Sequence, residues 1–327
     1  MNHKWKSVIV ASISFSLALV YFQLPAVNDY VLTIRGDDAV PVVSNTDPLL
    51  EEIKMKAKQL DVPPQNAKID PVWKTIPGYN GIKVDVQASY EKMRETGTFD
   101  EKKLIYTQVK PTTHLEDLEP APIYKAHAEK PVVSFLVNVA WGNEYLQQML
   151  SVLKKHEVKA TFFLEGKWTK NNQDMAKMIV EGGHEIGNHS YSHPNMKNLG
   201  PEAAMNELKK TNDIIEAVTG KKVRWFAPPS GSYSDSTIQV ADQLQMGTIM
   251  WSVDTIDWQK PTPPVLIQRV LSKIHPGAFV LMHPTDSSAK SLETLIVELK
   301  KRHLRIVTVT EALKEERILH ERVEKNE

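Results

Sequence analysis

The chain has no cysteine among its 327 residues. That excludes disulfides, thiolate metal ligands and a cysteine nucleophile together, so any metal would need histidine, aspartate, glutamate or backbone oxygen. It has no net charge either, with 40 Lys+Arg against 40 Asp+Glu. The basic residues are scattered, which leaves no electrostatic case for nucleic acid as a partner. Long apolar runs are scarce, with one exception at the start. There the basic flank MNHKWK precedes SVIVASISFSLALVYFQLPAV, a nearly uncharged run, and residues 1–27 read as a signal peptide or membrane anchor. Only Leu24-Pro25-Ala26 loosely resembles a small-x-small cleavage site, which favours an uncleaved anchor. Lys4 and Lys6 would then stay in the cytoplasm and place everything after Val27 outside, membrane-anchored or secreted.

A hydrophobic share of 41% supports an ordinary core, and 20 prolines imply punctuated loops. The length suits one barrel-sized domain and a smaller module. Residues 28–128 are polar and Pro-rich. Asp47 is placed to cap a helix in DPLLEEIKMKAKQL. IPGYNGIKVDV reads as turn then strand, SYEKMRETG as a helix closed by Gly97, and KKLIYTQVK as a second strand. This is a small α+β module, followed by a linker with Pro120, Pro122 and Pro131 that ends near Glu129. From 129 to 327 the rhythm changes. β-rich runs (VVSFLVNV, KATFFLEG, HEIGNHS, VRWFAPP, TIMWSVD, AFVLMH) alternate with amphipathic segments. Repeated βα units imply an α/β fold, a parallel sheet or barrel with active-site groups at the C-terminal strand ends.

Those ends carry Asn138 in FLVNVAWG, His189 and His193 in NHSYSH, Pro228 and Pro229 in WFAPPSGSY, Asp257 and Trp258 in VDTIDW, and His283 in VLMHPTD. His189 and His193 are four residues apart, a spacing that lets two imidazoles converge if the segment turns as a helical loop. A bare pair at this spacing is weak evidence. Its place at a strand end beside four other polar strand ends makes it a candidate metal site.

Residues 131 to about 310 resemble the polysaccharide deacetylase family, the NodB-homology domain of carbohydrate esterases, and within it an exported, sporulation-associated branch. HSYSH, LMH (Leu281 to His283), KATFFLEG and VDTIDW carry the likeness. The resemblance implies a distorted (β/α) barrel and a metal-dependent hydrolysis that removes acetyl from N-acetylated sugars of peptidoglycan or chitin. It implies a divalent metal, zinc by preference, on His189 and His193. His283 becomes the general acid, and Asp257 the carboxylate that orients it. Pro228, Pro229, Tyr233 and Trp258 become candidate walls of a sugar-binding groove, with core packing as the competing reading.

The chain departs from the family's pattern in one half of the site. Asn138 and Val139 stand where the family has an Asp-Asp pair, and Ala227 where it has an arginine that orients the base. An amide accepts no proton near neutral pH, and an isopropyl group offers a metal no lone pair. Arg224, three residues upstream on a strand, would point to the opposite face from Ala227. Asn138, Glu144 and Asp254 are the nearby candidates for a third ligand; Asp254 also suits a turn cap and Glu144 a helix start. Two readings follow. One is a deacetylase of N-acetylated polysaccharide with a degenerate base; the other is an inactive descendant that binds glycan or a protein partner at the cell envelope. A third places the function in residues 28–129.

Overall fold

The structure, a computed structural model, describes residues 47–317. Residues 1–27, read as signal or anchor, lie outside the described residues, as do 318–327. Among the described residues no helix is long and apolar enough to cross a membrane. The chain divides into two compact units, 1–52 and 53–327. The Asp47 carboxylate accepts the Leu49 N–H at 2.9 Å and opens the helix Pro48–Leu60, the capping role its side chain suits.

After this helix the second unit carries two small antiparallel pairs. Strands β1 (Lys68–Asp70) and β2 (Lys74–Ile76) form a hairpin whose turn is organised by Asp70, which accepts from the N–H groups of Val72 and Trp73. Strands β3 (Gly81–Val84) and β4 (Tyr106–Val109) pair around the helix Val86–Met93, capped by Asp85. The β1–β2 hairpin escaped the sequence reading because three-residue strands are too short to show an alternation.

The remaining strands form one parallel sheet: β5 (Val132–Val139), β6 (Thr161–Leu164), β7 (Glu185–Asn188), β8 (Trp225–Phe226), β9 (Gly247–Thr248), β10 (Val253–Asp254), β11 (Ala278–Met282) and β12 (Arg305–Ile306). Their order is β10-β11-β5-β6-β7-β8-β9, with β12 beside β5. Helices return the chain between most successive strands, as a βα repeat requires. TIMWSVD, read as one strand, is two. Between Thr248 and Val253 the chain steps directly from one sheet edge, β9, to the other, β10. A step that short requires the sheet to be curled, and the result is the distorted half-barrel of the NodB type. Residues 122–126, in the stretch read as a linker, pair with both sides of the split. The Ile123 N–H donates to Thr248 O and its carbonyl accepts from Met250, while the Ala126 N–H donates to Gly277 O.

β5 is buried over its whole length, as expected for a central parallel strand covered on both faces. Its residues alternate. Val133, Phe135, Val137 and Val139 pack outward against helix residues such as Leu146, Met149 and Leu292. Val132 and Leu136 pack inward with Phe163, Ala227, Ile249 and Phe279. The period of two puts Asn138 on the inward side and Val139 on the outward side.

Candidate functional site

His189 follows directly on β7. Its ring is buried, and Nδ1 donates to the Ala227 carbonyl at 2.8 Å, which fixes the proton on Nδ1 and leaves the Nε2 lone pair free. Ala227 lacks the arginine side chain expected from the family, yet its backbone sets the tautomer of this histidine. Burial first, with nearby imidazoles adding to it, pushes the His189 pKa down to about 3, and burial also lowers that of His193. Both rings are therefore neutral at pH 7. Their centroids are 5.1 Å apart, edge to face.

No helical turn brings them together. Ser190 (φ 62°) and His193 (φ 57°) both adopt left-handed backbone, which folds residues 189–193 into a tight loop. Asn188 Oδ1 accepts the Ser190 N–H, Ser190 Oγ accepts the His193 N–H, and the Glu207 carboxylate accepts from the N–H groups of Tyr191 and Ser192 and from the Ser192 hydroxyl. These bonds offset the cost of two unfavoured residues, on the order of 1 kcal/mol each. The expected helical loop is thus corrected to a loop tied down by side chains, since Ser and Asn favour such local bonds over helix.

In the other half of the site, the Asp257 carboxylate is fully buried and accepts three bonds. They come from His283 Nδ1 at 2.8 Å, the His283 N–H at 2.6 Å and Ser288 Oγ at 2.5 Å. With Nδ1 donating, Nε2 is the ring nitrogen left to exchange a proton. His283 lies close enough to lower the pKa of both His189 and His193, so the structure brings all three imidazoles to one place. Ser288 was missed in the sequence because it sits in the first turn of the helix Asp286–Lys301, where a serine reads as ordinary helix-start chemistry.

The base half differs. Asn138 is buried on the inward side, and its Oδ1 has no hydrogen-bond partner among the described residues. Val139 is not brought into the groove, because it lies fully buried in the layer between sheet and helices. Arg224 is exposed and lines a cavity with His184, Glu185 and Lys221. That cavity opens beside the start of β7, away from the strand end that carries His189. Glu144 is exposed in the first turn of the helix Asn143–Lys155. Asp254 is engaged as a turn cap by the Ile256 N–H at 2.8 Å. Among the described residues no group of three His, Cys, Asp or Glu side chains could hold a metal ion. Two neutral imidazoles suit a metal, but among the described residues no third His, Cys, Asp or Glu joins them, and the donor set does not fit the two-His, one-carboxylate centre the resemblance implies.

Of the expected groove walls, Pro228 and Pro229 are buried and offer a sugar little surface. Tyr233 is half-buried, its hydroxyl bonded to that of Tyr124 at 2.9 Å. Trp258 is exposed beside Asp257. Trp141 was not singled out in the sequence, yet its indole stacks on the His283 ring at 5.8 Å between centroids and 9° between planes.

A polysaccharide deacetylase family model matches residues 125–249. YlxY, an uncharacterized protein of Bacillus subtilis, is 54% identical over 318 residues, 96% of this chain and 99% of its own. The chain belongs to the polysaccharide deacetylase family. Deacetylases of the family are metal-dependent in general. The crystal structure of BA3943 from Bacillus anthracis, a CE4 family pseudoenzyme, matches with a TM-score of 0.78 at 57% identity, over 83% of this chain and 96% of that one. A BA3943 mutant with restored enzymatic activity gives 0.79 at 56%, over 83% and 99%. The peptidoglycan-N-acetylglucosamine deacetylase of Bacillus cereus is 33% identical over 171 residues, 51% of this chain and 62% of its own. The chain is therefore similar both to a protein named a peptidoglycan deacetylase and to a pseudoenzyme, and the residues of the site must decide between them.

Proposed function

We propose that this chain is a pseudo-deacetylase of the cell envelope, a polysaccharide deacetylase fold that binds N-acetylated glycan such as peptidoglycan without efficient turnover. One observation carries the reading. Among the described residues no carboxylate joins the His189–His193 pair in a metal-holding group, and the inward strand position holds the neutral Asn138. An amide does not take a proton from water near neutral pH, and loss of a general base costs about 10²- to 10⁴-fold in rate. Two neutral ligands also hold a divalent ion weakly. The 57% identity to a protein described as a pseudoenzyme supports the same view. A location outside the cytoplasm, membrane-anchored or secreted, is part of this proposal and is supported by the N-terminal sequence, read as an export signal or anchor. A role in sporulation is part of this proposal and rests on the family branch the sequence resembles.

A second reading, slow zinc-dependent deacetylation, is favoured by one observation, the intact His283–Asp257–Ser288 arrangement. That triad holds Nε2 ready to protonate a leaving amine. The experiment that separates the two measures acetate release from N-acetylglucosamine oligomers and peptidoglycan, with zinc or cobalt titrated in and with His189→Ala and His283→Ala alongside. No acetate above the histidine variants, with glycan still bound, is the expected result. Metal-dependent release lost in both variants would overturn the pseudo-deacetylase reading and establish the second.

A further inference from the structure

The exposed large hydrophobic side chains among the described residues include two aromatic ones, Trp141 and Trp258. Trp141 stacks on His283, and Trp258 follows its partner Asp257 in sequence. An indole left open to water is unfavourable unless something covers it, and Trp141 is open to water while one face lies against His283.

Trp141 is also held still. One face lies nearly parallel to the imidazole of His283, and 47% of the residue remains accessible. The next residue, Gly142, has φ +84°, and a Cβ there would stand 2.0 Å from the Pro284 carbonyl oxygen. The loop 140–142 therefore lies directly on the backbone that follows His283, an approach only glycine permits. Asn143 begins the helix Asn143–Lys155, and its Oδ1 accepts from Trp168 Nε1 at 2.7 Å, which secures the other side of the loop. A ring fixed in this way loses little entropy when a ligand settles on it.

We infer that the open face of Trp141 is a stacking platform for one pyranose ring of an N-acetylated glycan, a subsite beside His283 on the rim of the groove. A pyranose presents a flat patch of C–H groups that packs on an indole face, while its hydroxyls and acetamide stay free to hydrogen-bond or remain in water. The platform rests on the glycan-binding reading above. It adds the residue that holds the sugar in a site where the base half no longer can. Trp141 touches the ligand and takes no part in a chemical step.

The test is calorimetric titration of the full chain with tetra-N-acetylchitotetraose, with a parallel thermal melt. Trp141→Ala is expected to weaken binding by about tenfold, the value of one aromatic contact. Trp141→Phe, which keeps an aromatic face, is expected to stay within about threefold of the parent. Equal affinity in Trp141→Ala and the parent overturns the platform and leaves the glycan-binding reading standing. No binding by the parent chain overturns both. Should Trp141→Ala also lower the melting midpoint, Trp141→Phe decides: affinity as weak as that of Trp141→Ala overturns the platform, and retained affinity supports it.

Discussion

The Asp257 carboxylate has no exposure to water and accepts three hydrogen bonds, two of them from His283. A buried charge is tolerable only with such partners, and each donor would be stranded without it. Asp257→Ala is expected to destabilise the fold by about 3 kcal/mol and to free the His283 ring. Ser288→Ala removes one donor and costs about 1 kcal/mol. Urea unfolding midpoints check both, and equal effects of the two variants would sink the account.

Asn138 and Val139 are adjacent in sequence and lie on opposite faces of β5. Asn138→Asp places a carboxylate on the side of the imidazoles, and is expected to tighten zinc binding by about tenfold or more in a calorimetric titration. Val139→Asp buries a carboxylate among Val137, Leu146 and Met149 and is expected to cost about 3 kcal/mol or more of stability. A well-folded Val139→Asp chain that binds zinc better than Asn138→Asp would show that the strand faces are assigned wrongly.

Gly142 holds the Trp141 loop against Pro284. Gly142→Ala combines a left-handed backbone with a clash against a carbonyl, and is expected to cost about 2 kcal/mol and to move the indole off His283. A melting curve and the His283 ring-proton chemical shifts test this, since loss of stacking moves those signals.

Burial pushes the His184 pKa down to about 4, and its Nδ1 accepts the Ala160 N–H, which requires the neutral ring. The folded pKa lies below the ordinary histidine value, so the unfolded chain takes up the proton first as pH falls. Stability is therefore full above about pH 6.5 and declines towards pH 4. The loss is expected to reach on the order of 2 kcal/mol, and His184→Gln is expected to reduce it. Urea midpoints at pH 7 and pH 4.5 give the comparison, and an unchanged pH dependence in the variant would exclude His184 as its source.

The sequence by itself determined the class of fold and most of the strands and helices of the 129–327 region. Periodicity is local, so VVSFLVNV, KATFFLEG and AFVLMH announce buried strands on their own. HSYSH, Asp257 and His283 were legible as candidates because they are local signals, and the absence of the expected carboxylates at Asn138 and Val139 is written in the sequence itself. The left-handed backbone at Ser190 and His193 could not be read, since neither residue is glycine and the bonds that support it are accepted by Glu207 of the next α-helix, Pro201–Thr219. Which of Asn138 and Val139 faces inward depends on which way β5 lies in its sheet. Ser288 on Asp257 and Trp141 on His283 join residues that are far apart in the chain. Such contacts exist only once β10, β11 and β5 lie side by side, and tertiary packing alone decided them.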